Sequence, residues 1–339
     1  MDTDLRRKLA VMEDGPVKAD LLVKMATELR ESDPAQAVEL CDWAVELSRG
    51  LAYQRGLAEG LRVRANCRCL LSELERAMDD ASTALEIFRS LGEEPGVMRT
   101  TNIIGNIHRR SGELRDAAVR YLEVLERARA AGDRLMVGTA LSNLGNVYGN
   151  LDDDERATDF YNQGLAIFRE LGETKLITMT LINLSGIYRK QTRFDLALDC
   201  CRQALVVFPE YGDRHGEAIT WFNMGLSYRD TGQHELAMDV WQNSMDIARE
   251  TGDPETEMSA LVYTAQILNR QGQCPAALEL LDLAVMLEAN VGNRKLRMAC
   301  HQESAEACAR TDRPQEAEGH RRRQKELEAE LERQKSGGG

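Results

Sequence analysis

The sequence predicts an all-α chain, an α-solenoid of about eight helix-turn-helix repeats, on three observations. Alanine recurs every 40 residues, at Ala37, Ala77, Ala117, Ala157, Ala197, Ala237, Ala277 and Ala317. Glycine recurs with the same period at Gly92, Gly132, Gly172, Gly212, Gly252 and Gly292; an acid follows the first five and Asn293 the last. Aromatic residues make up only 5% of the chain and prolines number 7, which does not suit a β-rich fold. A fixed period of this length marks stacked units, each too small to bury its own apolar face.

Within each period the unit reads as two helices. In the fourth unit the first helix is expected over about 135–149, with Leu141, Leu144 and Tyr148 at i, i+3, i+7 spacing. The turn NLDDDE follows. The second helix is expected from about 155 to 171, with Ala157, Phe160, Leu165 and Phe168 inward. Gly172 then supplies the left-handed backbone that ends many helices, and the acid after it suits the next helix N-terminus. Gly145, Ser185, Gly225 and Ala265 share one site on the first helix. The alanine column is expected to face this site, so that the two helices approach closely.

The ends depart from the pattern, as ends of arrays do. The first unit is one residue short, with Leu22, Met25, Ala26 and Leu29 as core. In the last unit the equivalent sites are His301, Ser304, Ala305 and Cys308, which reads as a solvating cap. Pro209 replaces the arginine found at that site in four other units, and is expected to end or kink its helix early.

Gly145, Tyr148 and Ala157 make a small residue, a Tyr three later and an Ala nine after that; Ser185, Tyr188 and Ala197 repeat it, as do Gly225, Tyr228 and Ala237. In this the chain resembles the tetratricopeptide repeat (TPR) family. The usual TPR unit is ~34 residues, so these longer units are most similar to the group with LGN-type polarity adaptors, kinesin light chains and bacterial regulators. The phrase SNLGNVY, residues 142–148, is typical of LGN-type repeats. The resemblance covers about 16–335. It implies a right-handed superhelix whose concave groove is lined by first helices. The expected layout is a lead-in at 1–15, the array at 16–313, a capping or signalling helix at 314–335 and a flexible Gly tail at 336–339.

The groove-facing stripe carries an asparagine ladder through Asn66, Asn106, Asn143, Asn146, Asn183 and Asn223, with Asn102 beside it. An amide both donates and accepts, so it pairs with peptide backbone of any sequence. The family resemblance implies that use. Leu144, Gly145 and Tyr148 build the helix pair, whereas Asn143 and Asn146 are not needed for it. Arg99, Arg109, Arg189 and Arg229 lie along the same stripe and suit carboxylates. Met179, Ile182, Ile219, Phe222, Leu226, Val262 and Tyr263 are expected to form an exposed apolar patch, a common mark of interaction sites. The plainer alternatives stay open: asparagines bonding neighbouring repeats or water, apolar residues packing on the next helix pair, arginines tied to acids of the following unit.

The candidate partner-binding residues are therefore Asn66, Arg99, Asn102, Asn106, Arg109, Asn143, Asn146, Asn183, Arg189, Phe222, Asn223, Arg229 and Tyr263. The function expected is a non-catalytic scaffold for a protein or peptide ligand. The alternative is a sensory module of a larger bacterial signalling protein, of cyclase or kinase type, joined through the C-terminal helix. There His320, Gln324, Leu327, Leu331 and Gln334 give a weak heptad, a candidate homodimer seam.

Several classes are set aside. The formal net charge of -13 argues against nucleic acid as main partner. No apolar run approaches the ~18 residues of a membrane span and no signal-peptide core opens the chain, so a cytoplasmic location is expected. The 8 cysteines form no CxxC, and Cys300, His301 and Cys308 lack zinc-ligand spacing. No phosphate loop or Ser-His-Asp set stands out and the 5 histidines are scattered, so no enzyme, cofactor or metal is expected.

Overall fold

The computed structural model describes residues 12–336. Among the described residues it has sixteen α-helices and no strand. The chain divides into two compact units, residues 1–171 and 172–339. The first holds α1 (Pro16–Leu29), α2 (Pro34–Gly50), α3 (Gln54–Leu70), α4 (Leu74–Leu91), α5 (Glu94–Ser111), α6 (Leu114–Ala131), α7 (Arg134–Asn150) and α8 (Asp154–Leu171). The second holds α9 (Thr174–Lys190), α10 (Phe194–Tyr211), α11 (Arg214–Asp230), α12 (His234–Thr251), α13 (Pro254–Arg270), α14 (Cys274–Leu287), a 3-10 turn (Glu288–Asn290), α15 (Arg294–Arg310) and α16 (Pro314–Ser336). The expected helices of the fourth repeat match α7 and α8 to within a residue. Of the expected lead-in and Gly tail, residues 1–11 and 337–339 lie outside the described residues.

The alanine column is the core of every helix pair: seven of its members are 0% exposed and Ala317 is 1% exposed. What faces the small site of the first helix is a different residue from the one expected, four positions after each alanine. A methyl group on Gly105 would lie 2.6 Å from the Tyr121 ring, one on Gly145 2.7 Å from Tyr161, and one on Gly225 2.2 Å from Trp241. Small and large sites trade volume. Glycine meets Tyr or Trp, while the corresponding pairs elsewhere are Ser185 with Cys201, Ala65 with Ala81 and Ala265 with Leu281. A close-packed interior accepts either division of the space but not two large residues.

The turns need left-handed backbone. Gly132, with φ +70°, ends α6 as expected. The turn inside each repeat has the same need; Gly112, Gly232 and Gly272 meet it in three repeats, whereas Ser72, Asp152, Thr192 and Asp312 carry it elsewhere with φ between +57° and +64°. For the β-branched Thr192 this conformation is strained. Thr192→Gly is expected to stabilise the second unit by about 0.5–1 kcal/mol, net of glycine's greater chain entropy. Urea denaturation followed by circular dichroism measures it, and a loss of stability would show that Thr192 is held by more than its turn.

Three expectations are corrected. Helix α10 runs through Pro209 to Tyr211. The ring removes one donor near the helix end, but the last turn still closes, with the Gly212 N–H donating to Phe208 O at 2.9 Å. Gly292 does not end a helix, because α14 stops at Leu287 and passes into the 3-10 turn. The polar residues of the last unit are not solvated: His301, Ser304, Ala305 and Cys308 are at most 5% exposed. They lie where α15 packs on α16. Leu327 of the heptad is fully buried and His320 faces His301, so these two members of the stripe are engaged within the chain.

Candidate functional site

First helices of successive repeats touch one another, α1 with α3 and α3 with α5 in the first unit, and α9 with α11, α11 with α13 and α13 with α15 in the second. Each unit thus presents one face made of first helices, and the predicted stripe lies on it.

In the first unit this face carries Asn66 from α3, Arg99, Asn102, Asn106 and Arg109 from α5, and Asn143 and Asn146 from α7. All are half-buried except the exposed Arg99. The asparagines divide into kinds that the sequence alone did not separate. Tyr121 Oη donates to Asn106 Oδ1 at 2.7 Å, and Tyr161 Oη donates to Asn146 Oδ1 at 2.8 Å. The reading that Asn146 takes no part in its helix pair is therefore corrected. Gly145 leaves room for the tyrosine ring, and a buried phenol needs an acceptor on the far side. Asn143 Nδ2 donates to Asn102 Oδ1 at 2.8 Å, linking two repeats. Asn66 has no side-chain hydrogen bond among the described residues.

The arginines divide too. Arg99 Nη2 lies 3.2 Å from Glu59 Oε1, and Glu59 also holds Arg62 at 2.7 Å. Arg109 is different. It is half-buried, no carboxylate pairs with it among the described residues, and its Nε is buried without a hydrogen-bond partner. It lies near the Tyr121 and Tyr161 phenols: burial pushes both up, Tyr121 to about 12, and the Arg109 charge pulls each the other way. Arg109 thus stands among Tyr121, Tyr161 and the amides bonded to them.

In the second unit the face carries Asn183 and Arg189 from α9, Phe222, Asn223 and Arg229 from α11, and Tyr263 from α13. Arg189 Nη1 lies 2.7 Å from Asp230 Oδ2 and Arg229 Nη2 2.6 Å from Asp230 Oδ1. Burial raises the Asp230 carboxyl, but the two guanidiniums outweigh it and hold it below the usual range. These two arginines therefore already have an acid. Arg229 also sits 4.9 Å over the Tyr263 ring. Phe222 lies 5.5 Å from Tyr263 and 6.1 Å from Trp241, ring centre to ring centre. Asn223 is half-buried and has no side-chain hydrogen bond among the described residues. The apolar patch is smaller than expected. Val262 and Leu226 belong to the core, while Met179 is exposed and Ile182, Ile219, Phe222 and Tyr263 are half-buried.

A signal for part of this was available. Glu59 and Arg99 stand 40 residues apart and Arg189 and Asp230 41 apart, so an acid on the neighbouring repeat's stripe marks a neutralised arginine.

Metal chemistry finds little support. His108, Glu113 and Asp116 bring three candidate ligand atoms within 4.8 Å of one another at the turn between α5 and α6. In the next repeat the same positions, Tyr148, Asp153 and Arg156, close the turn by a cation–π contact and an ion pair, so turn closure accounts for the cluster. Burial pushes the Cys300 thiol up to about 12 and raises Cys308 as well.

Residues 96–170, 176–250 and 216–285 match the family model described as tetratricopeptide repeat, and together they span more than half of the chain. The chain belongs to the tetratricopeptide repeat family. Solved TPR-type structures resemble it over most of its length. The apo form of RapI is 14% identical, with 93% of this chain and 98% of that one covered and a TM-score of 0.65. The STAND protein PH0952 of Pyrococcus horikoshii, with its tetratricopeptide repeat sensor, is 19% identical, covering 84% of this chain and 43% of that one, TM-score 0.64. NprR in complex with its cognate peptide NprX is 13% identical, covering 89% and 86%, TM-score 0.55. At these identities the likeness concerns the fold. Comparison with curated proteins finds no match. No helix of this TPR chain, among the described residues, is long and apolar enough to cross a membrane.

Proposed function

We propose that this TPR chain is a non-catalytic interaction scaffold that binds an extended peptide or partner helix on the first-helix face of its first unit, with Arg109 taking a carboxylate of the ligand. The observation that carries the reading is the half-buried Arg109 guanidinium without an acid partner among the described residues. A buried charge is costly unless something pairs with it, and a guanidinium beside amides suits an acidic peptide. Asn66 supplies an amide for the ligand backbone, Asn102, Asn106, Asn143 and Asn146 contribute what their bonds within the chain leave available, and Arg99 shapes the charge of this face. The first-helix face of the second unit is a contact of its own, where Asn183 and Asn223 offer amides, Phe222 and Tyr263 an apolar contact, and Arg189 and Arg229 shape the charge. The complex of NprR with a peptide on the same fold supports the reading. The 8 buried free cysteines suit the reducing cytoplasm, where we place the protein.

Selection of a random peptide library on the purified chain, followed by fluorescence anisotropy with the selected peptides, tests this. Arg109→Gln is expected to weaken binding by about 10- to 100-fold, the worth of a charge-assisted hydrogen bond, with an unchanged or higher Tm. Arg99→Gln, whose partner Glu59 already neutralises it, is expected to change affinity little. The reading fails if no peptide is selected, or if selected peptides bind Arg109→Gln as tightly as the wild type.

A further inference from the structure

Helix α16 is fastened by a cluster that draws on three elements. Glu288, in the 3-10 turn after α14, receives Arg297 Nη2 of α15 at 2.7 Å and Arg323 Nη2 of α16 at 2.9 Å, both on Oε1. Its Oε2 lies 3.0 Å from His301 Nε2 of α15. His301 Nδ1 lies 2.9 Å from His320 Nδ1 of α16. His301 is about 5% exposed. Arg294 and Glu330, 3.6 Å apart, tie the far ends of α15 and α16.

The contacts fix where protons sit. The ionised Glu288 only accepts, so His301 Nε2 carries a hydrogen. In the neutral ring His301 Nδ1 is then an acceptor, and His320 donates to it. One extra proton is accommodated, since a single hydrogen still lies between the two Nδ1 atoms. A second has no place: both Nδ1 atoms would then be donors, and two imidazolium rings would face each other beside two arginines that already outweigh Glu288.

We propose that the His301–His320 pair is a proton-sensitive catch, holding α16 on α15 at neutral pH and releasing it when both rings are protonated. The charges around it are Glu288 on the 3-10 turn, Arg297 on α15, Asp282 on α14, and Arg313, Glu316 and Arg323 at or on α16. Burial first, and then the His301 charge, hold His320 below the ordinary histidine range. Released, His320 titrates near ~6.5. The released state therefore binds more protons than the docked one. Docking is fully favoured above that range and weakens as pH falls through it. Glu288 belongs to a separate, lower window: burial raises it, but hydrogen bonds from Arg297, His301 and Arg323 hold it at about 2, so it stays ionised at mildly acidic pH.

Hydrogen exchange on the full chain, corrected for intrinsic rates, measures the release. Protection of α16 amides is expected to fall between roughly pH 7.5 and 5, as the released state takes up the proton, with α5 amides unchanged. His320→Asn, which places an amide donor where Nδ1 stood, is expected to remove this pH dependence. Arg323→Gln is expected to lower protection at both pH values and keep the dependence. An NMR titration of the wild-type histidines is independent of any variant's folding. His320 is expected to titrate below ~6.5 over the range in which α16 loses protection. An α16 that stays protected to pH 5, a His320 that titrates normally, or a pH dependence that survives in His320→Asn overturns the proposal.

Discussion

Asp80→Ala is expected to destabilise the first unit by about 3–5 kcal/mol, the cost of breaking a buried ion pair by removing one partner. Asp80 is 6% exposed. Its Oδ1 accepts from Arg64 Nη2 at 2.6 Å, and its Oδ2 accepts from Arg64 Nε at 2.8 Å and Arg68 Nη1 at 2.7 Å. Arg64 and Arg68 are only 12% and 17% exposed. Asp42, the remaining close acid of Arg64 at 2.7 Å, is itself 48% exposed. Removing Asp80 leaves two largely buried guanidiniums with only the wet carboxylates of Asp42 and, 3.9 Å from Arg68, Glu73. Asp80→Asn keeps an acceptor but loses the charge, and is expected to cost less. The fourth repeat shows what replaces the network: Leu144, Tyr148 and Phe160 occupy the positions equivalent to Arg64, Arg68 and Asp80. The triple variant Arg64→Leu, Arg68→Tyr and Asp80→Phe is therefore expected to be close to or above wild-type stability, since it leaves no buried charge that needs compensation for lost hydration. Urea denaturation followed by circular dichroism compares them. A loss below about 1 kcal/mol for Asp80→Ala would place the network with exposed ion pairs instead.

Trp241→Ala is expected to cost the second unit about 3–5 kcal/mol. The indole is 0% exposed and its Nε1 donates to Phe222 O at 3.0 Å. Its ring stands 5.8 Å from Tyr263, so truncation empties the space over Gly225 and removes the support of the aromatic cluster. The opposite change is also expected to be harmful. A methyl on Gly225 would lie 2.2 Å from Trp241 Nε1, and the ring is pinned by its hydrogen bond, so Gly225→Ala overpacks by about 1–3 kcal/mol. The two changes should compensate. In the next repeat Ala265 stands with Leu281 where Gly225 stands with Trp241. Gly225→Ala is therefore expected to cost much less in a Trp241→Leu background, with a coupling of about 0.5–3 kcal/mol by double-mutant cycle. Additive losses would show that the two residues do not share one space.

The 40-residue period by itself determined the helix pairs, their turns, the alanine core and the family. These follow from local rules: helical spacing of apolar residues, glycine where φ must be positive, and one small residue wherever two helices cross. It also placed the stripe of amides and arginines on one face of the first helices. What it left undecided is which member of that stripe is already spoken for. Asn106 and Asn146 look alike in sequence to Asn66, yet a tyrosine sixteen residues after the preceding glycine reaches each of them and none reaches Asn66. Arg189, Arg229 and Arg109 share a residue type and a stripe, but Asp230 neutralises the first two and no described carboxylate pairs with the third. The polar last repeat read as solvated, whereas α16 covers it. The physical reason is common to all three. A side chain's hydrogen bonds and ion pairs are made with partners one helix or one repeat away, and only the packed structure shows whether a given amide or guanidinium has a partner within reach.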